Sequence, residues 1–342
     1  MSDSSHYLVA GAGLAGLSVA VHLAERGKRV TVFDNGVNFS SRIAAGMINP
    51  LVFRRMTKSW RVDEFMPYAK EFYQRIESKS SSSFYREVVI RRLFSSRQER
   101  EFWIDKCQRE PFKSYMHETT SEDDNYPIKG NEFGSGRLKQ SAAVHTERFL
   151  ESTKRYLREL GVTIELKSFD KSLHLNSFDQ IIFCQGFEGS KNEWFGDLPL
   201  NQTKGQTIRI EGDLPDDQST NRKCFILPLE DGGFRVGATY EWHNDTTNIT
   251  EEAKSHLMEK VKVITDAPIE VIDQQAGVRP TTIDRRPLIG SHPDEKNLHI
   301  FNGLGTKGYM MAPLLAKEFV EFLLDKKPLH KEVRIERFYQ GR

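Results

Sequence analysis

The sequence predicts an α/β fold: a Rossmann-like three-layer βαβ sheet with an interleaved α+β part built on an antiparallel sheet. Three observations predict it. "YLVAGAGLAGLSVAVHLAERGKRVTVFD" reads as strand, glycine turn, helix, strand; "VHTERFLESTKRYLRELGVTIEL" and "FDQIIFCQG" return to that pattern far downstream; from "KGQTIRIEG" onward the pattern turns to alternating strands. A chain of 342 residues has room for two units. The expected division assigns 1–50, 140–205 and 275–342 to a discontinuous nucleotide-binding domain, and 51–139 and 206–274 to a substrate domain.

The first element is a buried strand, Tyr7 to Ala10, and the second a helix, Leu14 to Arg26. The helix follows from Leu17, Ala20, Val21, Leu23 and Ala24 at three- and four-residue spacing, with Gly27 ending it. Between the two elements stand Gly11, Ala12, Gly13, Leu14, Ala15 and Gly16. Gly11 makes the turn, Gly13 leaves room for a pyrophosphate against bare backbone N–H groups, and Gly16 lets the helix pack closely on the strand. The helix N-terminus then faces the anion. "RVTVF" is the second strand and ends at Asp34, beside Asn35. An acid ~20 residues beyond the glycines accepts the hydroxyls of an adenosine ribose. No Arg follows Asp34 directly, which disfavours NADP.

"SSRIAAGMINPLV", with Gly46 and Pro50, reads as a loop making a close approach, and "DEFMPYAKEFYQRIE" as a helix with Phe65, Ala69, Phe72, Tyr73 and Ile76 on one face. "REVVIRRLF" reads as a strand, "RQEREFWIDKCQRE" as a helix, and "SKSSSSF" at 78–84 as an exposed loop. Thr146 is the expected N-cap of a helix stopped by Gly161. "FDQIIFCQG" is a buried strand reaching Gly186, and "CFILPLEDGGFRVGATYEW" a hairpin turning at Asp231, Gly232 and Gly233. A helix over roughly 250–265 and the strand "IEVIDQQAGVR" follow. The chain closes with a strand, a second glycine turn (Gly303, Leu304, Gly305, Thr306, Lys307, Gly308) and an apolar helix.

Lys+Arg of 49 against Asp+Glu of 48 leaves no global attraction to nucleic acid or an anionic membrane. The short polar stretch before the first strand and the lack of a long apolar run predict a cytoplasmic protein with no membrane span. Cys107, Cys184 and Cys224 are widely spaced and make neither a disulfide framework nor a metal site; the histidines, His145 and His174 among them, show no ligand spacing.

Eight segments in order, including "SRIAAGMINP", "KGQTIRI", "GGFRVGATYE", "AGVRPTTIDRRPLIG" and "NGLGTKGYMMAPLLA", resemble the FAD-dependent D-amino acid oxidase superfamily, which includes glycine oxidase and sarcosine oxidase. In style the chain is most similar to the oxidase domain of the bifunctional enzyme that finishes 5-methylaminomethyl-2-thiouridine in tRNA. The resemblance implies FAD, its adenosine at Asp34, its pyrophosphate at Gly11 to Gly16, and its flavin at the loop Arg42, Ala44, Ala45, Gly46 and Met47. The closing turn, Gly303 to Gly308, would present a helix N-terminus to the flavin. The segment in which some members carry a flavin-linking Cys has none here, so a non-covalent flavin is expected.

The resemblance also implies oxidation of a C–N bond to an imine, with oxygen reoxidising the flavin. Arg279 in "GVRP" matches the position that holds a substrate carboxylate, which a planar guanidinium suits by donating two parallel hydrogen bonds. The bland alternative for Arg279 is a salt bridge with Asp284. Lys307 in the closing turn and Tyr240 after "GAT" are further candidates for the catalytic site, Lys307 against the alternative of a solvent-facing turn lysine. Arg235 matches a sarcosine oxidase lysine near flavin and oxygen. The expected substrate is a small amino acid or N-substituted glycine. One alternative moves the same chemistry onto a carboxymethylaminomethyl group of tRNA, supported by Arg86, Arg91, Arg92, Arg97 and Arg100 in one short segment. Others are a non-catalytic flavin-binding module and an NAD dehydrogenase.

Overall fold

A computed structural model describes residues 5–37 and 40–339. Strand β1 (His6–Ala10), helix α1 (Leu14–Glu25) and strand β2 (Arg29–Asp34) form where the apolar periodicity places them. The face of helix α2 (Val62–Ser80) that buries Phe65, Ala69, Phe72, Tyr73 and Ile76 is the face the spacing predicts. Helix α3 (Thr146–Glu159) leads into β3 (Thr163–Leu166), and β4 (Gln180–Phe183) follows. The α3 N-cap is His145, whose Nδ1 accepts from the Arg148 N–H, and not Thr146, whose hydroxyl donates to the Arg42 carbonyl.

The second half supplies β5 (Leu200–Gly212), β6 (Cys224–Pro228), β7 (Phe234–Gly237), β8 (Glu241–Trp242), α4 (Glu251–Lys262) and β9 (Ile269–Thr282). The strands β10 (Leu288–Ser291) and β11 (Leu298–Asn302) and the helix α5 (Gly308–Asp325) close the chain. Strand β10 carries no clear sequence signal, because its run between Pro287 and His292 is only four residues long.

One sheet has the order β3-β2-β1-β4-β11-β10, parallel except for β10, which runs antiparallel to β11. It gathers strands from three distant parts of the chain, as a βαβ sheet completed by late returns requires. Its helices α1 and α5 pack on each other and on α2 in the largest buried cluster. The second sheet is mixed. Strand β5 is flanked by β9 on one edge and by β7 and β8 on the other, while Ser219–Arg222 pairs parallel with Ile90–Leu93. "REVVIRRLF" is accordingly not one strand: Tyr85–Glu87 pairs with Ala142–Val144, and Ile90–Leu93 joins the mixed sheet. Residues 78–80 of the serine-rich stretch extend α2, and Phe84 is buried rather than looped out. Strands β5 and β9 run unbroken through positions 205 and 275, so the two units of the expected division share them.

Candidate functional site

The two sheets enclose a cavity of about 730 Å³ whose wall runs from Asp34 and Asn35, past Gly11 to Ala15, to Gly305 to Met310, Tyr240 and Arg279. Backbone shapes the first stretch. Gly11 has φ +112°, and a Cβ there would lie 2.5 Å from the Cys184 carbonyl oxygen. A Cβ on Gly16 would lie 1.8 Å from the Gly11 carbonyl oxygen, so helix and turn touch through bare backbone. Two helix N-termini, those of α1 and α5, open onto the same cavity.

The segment 40–47 departs from the sequence expectation at Arg42. Ser40–Ile43 is one short helical turn, and successive residues on a helix point about 100° apart. Ser41 therefore faces α1, its Oγ accepting from the Leu14 N–H at 3.1 Å, while Arg42 faces α3 and pairs with Glu147 (2.6 Å) and Glu151 (2.7 Å). Arg42 does not line the cavity; Ser40, Ser41, Ile43, Ala44, Ala45, Gly46 and Met47 do. Ser41 was missed, although a hydroxyl in a loop aimed at a helix N-terminus is the available signal. The Tyr309 hydroxyl pins this turn by donating to the Ser41 carbonyl at 2.7 Å. Gly277 leaves the space that Ile43 fills.

Leu304, Gly305, Thr306, Lys307 and Gly308 line the cavity, as does Gly186; Gly16 and Gly303 stand behind its wall. Lys307 is not solvent-facing. Its ammonium donates to the carbonyls of Asn49 (2.8 Å) and Leu51 (3.1 Å) and to the Ser59 hydroxyl, and burial pushes its pKa down to about 7. The three donors of a lysine thus meet three acceptors and tie the closing turn to residues 49–59.

Arg279 lies in the cavity wall with its guanidinium stretched across Gly205; its one hydrogen bond donates to the Thr239 carbonyl at 3.5 Å. Asp284 is not its partner, since that carboxylate pairs with Arg337 at 2.8 Å. Among the described residues no carboxylate forms an ion pair with Arg279, and desolvation lowers its pKa. The carboxylates that line the cavity, Asp34 and Glu188, accept instead from the Gly36 N–H (3.3 Å) and from Asn35 Nδ2 (3.0 Å). Tyr240 lines the cavity beside Arg279, whose guanidinium carbon is 5.7 Å from the ring centroid. Arg235 does not line it. Its guanidinium donates to the Ile43 carbonyl at 2.9 Å and braces the 40–47 segment from behind.

The arginine-rich segment forms no basic patch. Arg91 is 1% exposed and bonded to Asp123, Ser135 and Gln218; Arg92 pairs with Glu99, Arg100 with Asp124, and Arg86 with Glu230. Four of the five positive charges are matched internally, and Arg97 alone stands exposed. Among the described residues no group of His, Cys, Asp and Glu could hold a metal, and no helix is long and apolar enough to cross a membrane. The three cysteines are buried.

The lining fits FAD on three counts: a glycine cradle with no side chain where a pyrophosphate meets backbone, an acid at the end of β2, and a second helix N-terminus at the other end. Comparison with known proteins agrees. The model of the DAO family, FAD dependent oxidoreductase, matches residues 6–322. The oxidoreductase YurR of Bacillus subtilis (strain 168) is 24% identical over 94% of this chain and 95% of its own length. The tRNA 5-methylaminomethyl-2-thiouridine biosynthesis bifunctional protein MnmC of Acinetobacter baylyi is 23% identical over 94% of this chain, which spans 53% of that protein. The crystal structure of glycine oxidase from Bacillus cereus superposes with a TM-score of 0.80 at 18% identity, covering 95% of this chain and 96% of that one. The chain belongs to the DAO family of FAD-dependent oxidoreductases and is an enzyme.

Proposed function

We propose that this DAO-family enzyme oxidises the C–N bond of a small amino acid or N-substituted glycine to an imine, with oxygen as the terminal acceptor. One observation carries the reading: the guanidinium of Arg279 sits in the cavity wall without a carboxylate partner among the described residues. A desolvated cation held this way gains most from a ligand carboxylate, which its planar fork binds through two parallel hydrogen bonds. When bound, FAD supplies the acceptor for the two electrons taken from the C–N bond.

The protein's own residues orient and enclose. Arg279 fixes the carboxylate, and through it the α-carbon and amine. Lys307 is a positioning residue, holding the closing turn against residues 49–59. The α5 N-terminus, which that turn opens, favours negative charge in front of it. Among the described residues that line the cavity there is no histidine, and both carboxylates are engaged with residues 35–36. A neutral amine needs no base beyond this, so orientation is the main contribution. The tRNA-borne form of the substrate loses most of its sequence support, because Arg86, Arg91, Arg92 and Arg100 are paired within the chain and Arg97 alone is left exposed.

The test is the visible spectrum under anaerobic conditions. Sarcosine is expected to bleach the oxidised-flavin band of the purified protein. Arg279→Lys is expected to keep its flavin but to require on the order of 100-fold more sarcosine for the same bleaching. Equal sensitivity of the two proteins would remove Arg279 from the role, and a wild-type band untouched by sarcosine would favour a larger amine or a non-catalytic flavin module. Acid denaturation is expected to release the flavin into solution, since no cysteine stands in 275–284.

A further inference from the structure

The sheet face that carries Arg279 continues outward to two large aromatic side chains that the reading above leaves unused. Trp242, Thr203 and Arg279 are direct partners across β8, β5 and β9, and directly paired residues project from the same face. Tyr240 joins the two ends of this row. Its ring meets the Trp242 indole edge-on at 5.1 Å and lies 5.7 Å from the Arg279 guanidinium. Tyr240 is 44% and Trp242 45% exposed, which leaves an aromatic face of each open to a ligand.

The exposure is built into the fold. On the other face of β8, Glu241 accepts from Asn244 Nδ2 (3.0 Å) and from Nε2 of the buried Gln206 (3.3 Å). Gln206 Oε1 in turn accepts from the Thr250 N–H (2.9 Å) and from Gln274 Nε2 (2.9 Å), and the buried Lys204 donates to the Thr246 hydroxyl (3.1 Å). These bonds fasten residues 241–250 to the sheet, so the aromatic pair is held open rather than folded down onto it. Beside this row Gly205 and Gly277 are paired, and the Arg279 guanidinium lies across Gly205 and so reaches from the sheet into the cavity wall. Across the cavity, a Cβ on Gly305 would meet nothing within 4 Å.

We infer that Tyr240 and Trp242 form a subsite for a planar aromatic ring carried by the substrate on its amine nitrogen or α-carbon. The inference rests on the proposed role of Arg279, which holds the carboxylate while the ring leaves the cavity over Tyr240 and lies against the indole of Trp242. Rigid aromatic walls favour a planar ring over a flexible alkyl chain, because offset stacking adds to the area buried and few rotors are frozen.

The test titrates the FAD-loaded protein with carboxylates that cannot be oxidised at nitrogen, read by perturbation of the flavin absorption band. Methoxyacetate and benzyloxyacetate differ by a ring at the amine position, lactate and mandelate by a ring at the α-carbon. In at least one pair the aromatic member is expected to bind on the order of tenfold more tightly, and that pair identifies where the ring is attached. Trp242→Ala is expected to bring that preference to within about twofold, and Trp242→Phe to retain it. No preference in either pair, or one that survives Trp242→Ala, overturns the subsite. Arg279→Lys tests the premise separately: it is expected to weaken both members of a pair together and leave their ratio intact. Unweakened binding there refutes the role of Arg279, whatever the ratio.

Discussion

The two ends of the cavity are built by different means. Around Gly11 to Gly16 and Asp34 the wall is largely backbone, taken from one contiguous strand-turn-helix-strand stretch. Around Arg279 it is side chains brought together from β9, the Tyr240 segment, the Ile43 turn and the Lys307 turn. A backbone cradle tolerates no added atom and so serves one invariant group. A wall of side chains can be altered piece by piece, and substrate preference belongs there.

The comparison is broken most severely at Gly16. Gly16→Ala places a Cβ against the Gly11 carbonyl and must push α1 off its turn, so FAD affinity is expected to fall by about 100-fold or more. The ratio of flavin to protein absorbance after gel filtration reads this directly. Full FAD retention would show that the cradle needs no close backbone contact.

Lys307→Met sharpens the comparison from the other end, because it removes three hydrogen bonds without adding an atom to the nucleotide cradle. FAD affinity is expected to weaken by about tenfold. A pH signature accompanies it. Folded Lys307 has its pKa at about 7 against an ordinary value of 10.5, so between these values the unfolded chain holds a proton that the folded chain does not. Stability from this group therefore rises with pH across that window. The melting temperature of the wild type relative to Lys307→Met is expected to climb over the same range; parallel curves would show that Lys307 does not titrate there.

The smallest effect is expected at Arg42. Its ion pairs with Glu147 and Glu151 are partly exposed, and Arg42→Ala should cost about 1 kcal/mol or less by denaturant unfolding while FAD affinity stays unchanged. A loss of FAD affinity would return Arg42 to the cofactor site.

Where the signal was a sustained hydrophobic period or a glycine turn, sequence and structure agree. The period of α1 and α2, the alternation in β7, and the glycine turns before α1 and α5 each depend on neighbours within a few residues, and each element forms where that pattern places it. Readings that depended on direction went astray. Arg42 lies one residue from Ser41, yet only the packing of one helical turn against α1 and α3 decides which of them faces the cavity. The five arginines looked like a patch because sequence records charge but not partners; Asp123, which neutralises Arg91 and Arg137, lies well outside that segment.

Sequence by itself determined the α/β class, the first and second glycine turns and the acid at the end of β2, because backbone conformation and hydrophobic period are set by adjacent residues. Tertiary structure alone decided that Arg279 lacks a carboxylate partner among the described residues, that Lys307 is spent on carbonyls, and that Trp242 stands in register with Arg279 across β5. Those outcomes depend on which strands become neighbours and in what register, and strand pairing is a property of the whole chain, not of any segment in it.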